Sequence, residues 1–182
     1  MIVTFIIPIL LWLSQCAFAA VTQNGTACVV TPLNTGTSAD DSVQIMDAYR
    51  RCGSGGSIEF TAGTFYIGKV MDWTNLKNVD IKILGKWVWS TNIQYWLSNS
   101  ISVTYAGRST AWRVTGENIT IRGYGQSMFD GNGQLWYDQN KNQGNQNGRP
   151  ISLTIWRAKN ILVDGLTWRQ PQFWLATISS SA

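Results

Sequence analysis

The sequence predicts an all-β chain wound as a parallel β-helix, with one α-helix capping its N-terminal end. Two observations carry this. The segments "NVDIKILG" (78–85), "NITIRG" (118–123) and "NILVDG" (160–165) repeat one design: asparagine, an alternating β-branched strand, then glycine. Their asparagines, at 78, 118 and 160, are spaced by 40 and 42 residues, with further strand candidates such as "SISVTYAG" (100–107) between them. A near-regular return of strand and turn without intervening helices indicates a solenoid. Asparagine tolerates a left-handed backbone and bonds neighbouring amides, so it suits the corners.

Taken in order, residues 1–20 read as a secretory signal. "MIVTFIIPILLWLSQCAFAA" has no charged side chain, an apolar run from Ile2 to Leu13, and small residues at Ala17 and Ala19. An A-x-A cleavage site near Ala19 or Ala20 follows, and the apolar run is short for a membrane span. Secretion is therefore expected, with residues 21–182 as one β-helix domain and no membrane association after cleavage. Cleavage removes Cys16 and leaves Cys28 and Cys52 as an even pair. In an oxidising compartment that pair reads as a disulfide, with two free buried thiols as the alternative.

Helical signals concentrate between Ser38 and Gly56. Asp40, Asp41 and Ser42 offer caps, Gly53 closes the segment, and Ile45, Met46, Tyr49 and Cys52 share one face. No further helix is expected. Such a helix covers the apolar core and strand edges that a first coil exposes. "GSIEFTAGTFYIG" (56–68) alternates around Ile58, Phe60, Phe65 and Ile67. A β-sandwich is the rival fold, but it needs hairpin signals at close spacing, and no clean N-G or D-G hairpin between matched strands is evident.

Composition narrows the function classes. Lys and Arg number 14 against 10 Asp and Glu, scattered without a basic run, so no nucleic-acid partner is expected. The mild positive balance suits an acidic ligand as well as plain surface solvation. Ten tryptophans point toward stacking on sugar rings, although core packing is the commoner use of an indole. Asn24 in "NGT" and Asn118 in "NIT" fit the N-glycosylation acceptor pattern.

The stretch "FDGNGQLWYDQ" (129–139) resembles the start of a calcium loop, but Leu135 and Lys141 stand where glycine and glutamate are needed. It reads instead as a strand end feeding a long projecting loop that runs through "QNKNQGNQNGRP". Asp130 and Asp138 flank that loop. An inverting hydrolase needs an acid and a base roughly 6.5–9.5 Å apart, but loop carboxylates serve more often as turn formers. Asp164, before a corner glycine, reads the same way. With no histidine in the chain, Ser-His and Cys-His arrangements are excluded. No metal site and no cofactor motif is evident.

Together, "ADDSVQIMDAYRRCGSGGSIEFTAGTFYIG", "DGNGQLWYD" and "GRPISLTIWRAKNILVDGLTWRQPQFW" resemble the family 28 glycoside hydrolases, the polygalacturonases. The likeness is greatest to the fungal exo-acting branch, the galacturan 1,4-alpha-galacturonidases, and runs from about Cys28 to Trp174. It implies a right-handed parallel β-helix and metal-free hydrolysis of α-1,4-galacturonan in pectin, with inversion at the anomeric carbon. The family's catalytic segments are Asn-Thr-Asp, Asp-Asp, Gly-His-Gly and Arg-Ile-Lys. None is present as a site: the only adjacent aspartates, Asp40 and Asp41, open the N-terminal helix. The resemblance therefore covers the family's N-terminal portion, with catalytic residues expected beyond Ala182 and none carried over here.

Arg149, Arg169, Gln170 and Trp174 are the candidates for contact with a uronate, because a guanidinium pairs with a carboxylate and an indole stacks on a sugar ring. Each also reads as a salt bridge or core stacking. The expected partner is pectin or polygalacturonic acid, met by a monomer. The alternative reading is a non-catalytic carbohydrate-binding or structural β-helix protein that ends at this point.

Overall fold

A computed structural model describes residues 21–34, 36, 40–103, 107–141, 143 and 146–179; the signal reading falls on 1–20, outside the described residues. Among these residues, no helix is long and apolar enough to cross a membrane. The chain winds as a right-handed parallel β-helix with three sides. The first side stacks β2 (Ala27–Val30), β3 (Ser57–Phe60), the end of β5 (Met71–Ile83), the middle of β8 (Arg108–Asp130) and the start of β10 (Lys159–Arg169). The second stacks β4 (Thr64–Ile67), β6 (Lys86–Trp89) and the ends of β8 and β10. The third stacks 71–73, 112–114, β9 (Pro150–Trp156) and β11 (Ala176–Ser179).

Parallel pairing places like residues above one another, and this builds the core. Phe65 pairs with Trp87, Trp87 with Phe129, and Phe129 with Trp168. Their rings touch along the column, Phe129 and Trp168 at 4.6 Å between centroids. Trp73, Trp87, Trp89, Trp96, Trp112 and Trp136 are all buried. Most indoles thus serve packing, the commoner of the two uses open to them.

The repeated asparagines sit at the corner between the third and first sides. Asn78, Asn118 and Asn160 all take positive φ. The Asn118 amide donates to Asn78 Oδ1 at 2.7 Å, and the Asn160 amide donates to Asn118 Oδ1 at 2.8 Å. Two rungs of this ladder explain the spacing read from the sequence. Beside it, Gly116 has φ +136, and a Cβ there would lie 1.9 Å from the Leu76 carbonyl oxygen; only glycine fits.

At the N-terminal end, α1 (Ser42–Cys52) lies over β2, β3 and β5, and Cys52 is bonded to Cys28. The aspartates act differently from simple caps. Asp40 Oδ1 accepts from Ser42 N at 3.1 Å but also from Gly68 N at 3.0 Å. Asp41 makes no side-chain bond to the helix-start amides; its carboxylate accepts from Leu33 N at 2.9 Å, Tyr66 N at 2.7 Å and the Gln44 amide. The pair ties the helix to the first coil, meeting backbone donors that would otherwise be buried unpaired.

Two sequence expectations are corrected. Helices do not stop at 52: α2 (Ile93–Asn99) and α3 (Gly133–Asn140) follow. Both are short, and each buries few side chains, Trp96 in α2 and Gly133 with Trp136 in α3, so neither shows an apolar stripe. The stretch 129–139 is thus a strand end turning into a helix. A hairpin without N-G or D-G at its turn also exists: β1 (Val21–Asn24) pairs antiparallel with β2 across the two-residue loop Gly25 and Thr26, with Gly25 at φ +58. That loop, with glycine at its first position, lies inside the "NGT" triplet read for glycosylation.

Candidate functional site

After α1, the corner between the second and third sides receives the long insertions among the described residues. In successive rungs it holds 90–103 with α2 and β7 (Ile101–Val103), then 131–141 with α3 and 146–149, then 170–175. β7 folds back antiparallel on the start of β8, with Val103 opposite Arg108. Insertions repeated at one corner stack into a wall beside the third side, the arrangement in which loops on a rigid scaffold gather function.

The glycines of "FDGNG" hold this wall together. A Cβ on Gly131 would meet Gln170 O and Gln172 N at 2.6 Å, and one on Gly133 would meet Pro171 O at 2.4 Å. Gly131 N donates to Arg169 O at 3.0 Å and Gly133 N to Gln170 O at 2.9 Å. The two carboxylates of the stretch have structural partners: Asp130 lies 3.2 Å from Lys86 Nζ and accepts from Asn132 N, while Asp138 accepts from the Gln134 amide. Neither stands free as an acid or base. Among the described residues no group of three His, Cys, Asp or Glu side chains is placed to hold a metal ion.

Arg149 and Trp174 are brought together with residues the sequence did not single out. Phe173 and Trp174 stack at 4.8 Å, and the Arg108 guanidinium carbon lies 5.2 Å from the Phe173 ring and 5.4 Å from the Trp174 ring. Arg149, just before β9, reaches Phe173 at 5.5 Å, with Tyr137 at 5.0 Å and Trp136 at 5.7 Å. Only 5% of Arg149 is exposed, and its Nε donates to the Gln172 carbonyl. Burial pushes the Arg149 pKa below its ordinary value, with Tyr137 working the other way. Arg169 and Gln170 are exposed and contribute their backbone carbonyls to the wall.

No carboxylate answers either cation. The ion pairs among the described residues join other groups, and neither Arg108 nor Arg149 takes part. Buried or half-buried cations are ordinarily paired, so two without a counter-charge around one phenylalanine are an uncompensated positive site. Arg108 carried no sequence signal beyond its charge; the fold brings it 65 positions back to Phe173.

The glycosylation triplets lie elsewhere. Asn24 is exposed beside the hairpin turn, and Asn118 is exposed with its amide in the ladder.

A three-sided parallel coil with a loop wall along one corner is the architecture of glycoside hydrolase β-helix proteins, and solved structures bear this out. The chain superposes on the endo-xylogalacturonan hydrolase of Aspergillus tubingensis with a TM-score of 0.63 and 27% identity, over 82% of this chain and 39% of that one. A putative glycosyl hydrolase from Parabacteroides merdae shares the fold at TM-score 0.52 and 15% identity, over 74% and 60% of the two chains. By sequence, the chain is a homologue of fungal polygalacturonase-family proteins. It is 39% identical over 158 residues to the alpha-L-rhamnosidase rgxB of Aspergillus niger, and 35% identical over 158 residues to a putative galacturan 1,4-alpha-galacturonidase C of the same species. These cover 86% and 87% of this chain. The chain spans 37% of the length of each. No protein-family model matches it.

Proposed function

We propose that these rungs are the N-terminal portion of a secreted pectin-degrading glycoside hydrolase. It works as a monomer without a metal or other cofactor, is exo-acting on α-1,4-galacturonan, and inverts the anomeric centre. The coil supplies a rigid face and the corner wall one flank of a groove for an acidic polysaccharide. The hydrolysing acid and base come from sequence beyond Ala182, since Asp130 and Asp138 are already committed to structure. The observation that carries the reading is the similarity to fungal pectin-acting relatives across most of the chain, together with two arginines that lack a counter-charge. N-linked sugar at Asn24 fits an exported chain, and Asn118 is a second acceptor by pattern.

The test is to sequence the transcript past Ala182 and assay the full product on polygalacturonate. Asn-Thr-Asp, Asp-Asp and Gly-His-Gly within the next rungs, with galacturonate released singly and inverted, is the expected result. A stop codon at that point, or hydrolysis by the 182-residue chain itself, contradicts it. A stop codon favours a non-catalytic carbohydrate-binding β-helix protein.

A further inference from the structure

The corner wall contains a cation and an aromatic face side by side, which is the chemistry needed to hold an acidic sugar. Arg108 is half-buried at the start of β8, and its Nε has no hydrogen-bond partner. Its guanidinium lies against Phe173 and Trp174, and stacking on two rings holds the group in one place. Trp174 remains 40% exposed although its neighbour Phe173 supports one face of the indole. Behind them Arg149 adds a second, fully enclosed positive charge. A buried cation that no ligand can touch still raises the local potential, because the low dielectric around it screens it poorly.

We propose that Arg108 and Trp174 form a subsite for one uronate residue, with Arg108 pairing the carboxylate and Trp174 stacking on the sugar's C–H face. This rests on the pectin reading above and goes beyond it by assigning two residues. A neutral or methyl-esterified sugar offers the indole its ring but gives the guanidinium no partner, so the subsite selects the free acid. Inorganic phosphate offers charge without a ring and gains only half of the recognition. Arg149 acts through the field and through Phe173, as a positioning residue.

The experiment is a binding titration of trigalacturonate against the full chain, read by calorimetry, with thermal midpoints measured for every variant. Arg108→Gln is expected to weaken binding about tenfold or more, since a charge-assisted contact is lost. Trp174→Ala is expected to weaken it about fivefold. Arg51→Gln, which removes the same charge from the far end of the chain, leaves binding as it was. Methyl-esterified trigalacturonate and inorganic phosphate bind at least tenfold more weakly than the acid. Trigalacturonate binding equal in wild type and both variants overturns the subsite and leaves the pectin reading standing. Phosphate binding as tightly as the uronate also overturns it, as a general anion site. No binding of trigalacturonate by the wild-type chain sinks the subsite and the pectin reading together. If Arg108→Gln unfolds, Trp174→Ala decides the matter, because its side chain is already 40% exposed.

Discussion

Ile58, Ile81 and Ile121 occupy one column of the first side and are wholly buried, while Val163, next in the same column, is 36% exposed. On the third side Trp73 and Val114 are buried, Ile155 is 4% exposed and Ile178 is 75% exposed. The residue types are alike, so chemistry does not explain the contrast. What differs is the neighbour above: each inward side chain is covered by the rung on either side of it, and among the described residues nothing stacks on β10 or β11. At the other end, α1 and the Cys28–Cys52 bond provide that cover. Burial in this molecule is therefore a nearest-neighbour property, as expected of a solenoid.

Substitutions at the covered and uncovered ends should differ accordingly. The largest effect is expected at Trp87, which touches Phe60, Phe65, Trp73, Trp89, Trp112 and Phe129. Trp87→Ala should cost about 4 kcal/mol in chemical denaturation. Trp87→Phe should cost far less, because the indole N–H has no acceptor to lose. Next is the disulfide, whose removal by paired Cys→Ser changes should cost about 3 kcal/mol by the chain-entropy estimate. If either change proves as mild as Ile178→Ser, for which under about 0.5 kcal/mol is expected at an exposed position, the contrast between the ends is wrong.

Asp41 adds a pH signature to the covered end. Burial raises its pKa above the ordinary value of 3.8, outweighing the bonds from Leu33, Tyr66 and Gln44. A carboxyl whose folded pKa is raised binds protons more tightly when folded. Its contribution is therefore fully present below pH 3.8 and is lost as the pH rises through the folded pKa. Thermal midpoints measured upward from pH 3.5 should show this loss, and Asp41→Asn should flatten that part of the profile. An unchanged profile in the variant would mean that the burial is not felt. Smaller still, Asn118→Ala should cost about 1.5 kcal/mol, from two ladder bonds and a left-handed backbone. Asn160→Ala, at the end of the ladder with one such bond, should cost less.

The ladder explains why so much of the fold was legible. Each of its asparagines opens a strand of alternating residues, so spacing and periodicity gave the same answer for Asn78, Asn118 and Asn160. Cys28 and Cys52 were legible by parity. The short helices were not, because α3 is anchored by the approach of Gly131 and Gly133 to the backbone of 170–172, a contact between distant parts of the chain. The hairpin after Asn24 was not legible because its two loop residues, Gly25 and Thr26, are neither N-G nor D-G. At the candidate site, Arg149 and Trp174 could be named from residue type, but the arginine beside Trp174 could not. Arg108 reaches it only because the coil stacks the start of β8, the start of β9 and the segment 170–175 in successive rungs.

The stacking account is tested most directly by amide hydrogen exchange resolved along the chain. For the 182-residue chain it predicts the slowest exchange in 57–60, 79–82 and 112–122, which are paired on both sides, and fast exchange in 161–164 and 176–179, where one edge is open. Protection in β10 and β11 equal to that of the middle rungs would contradict it.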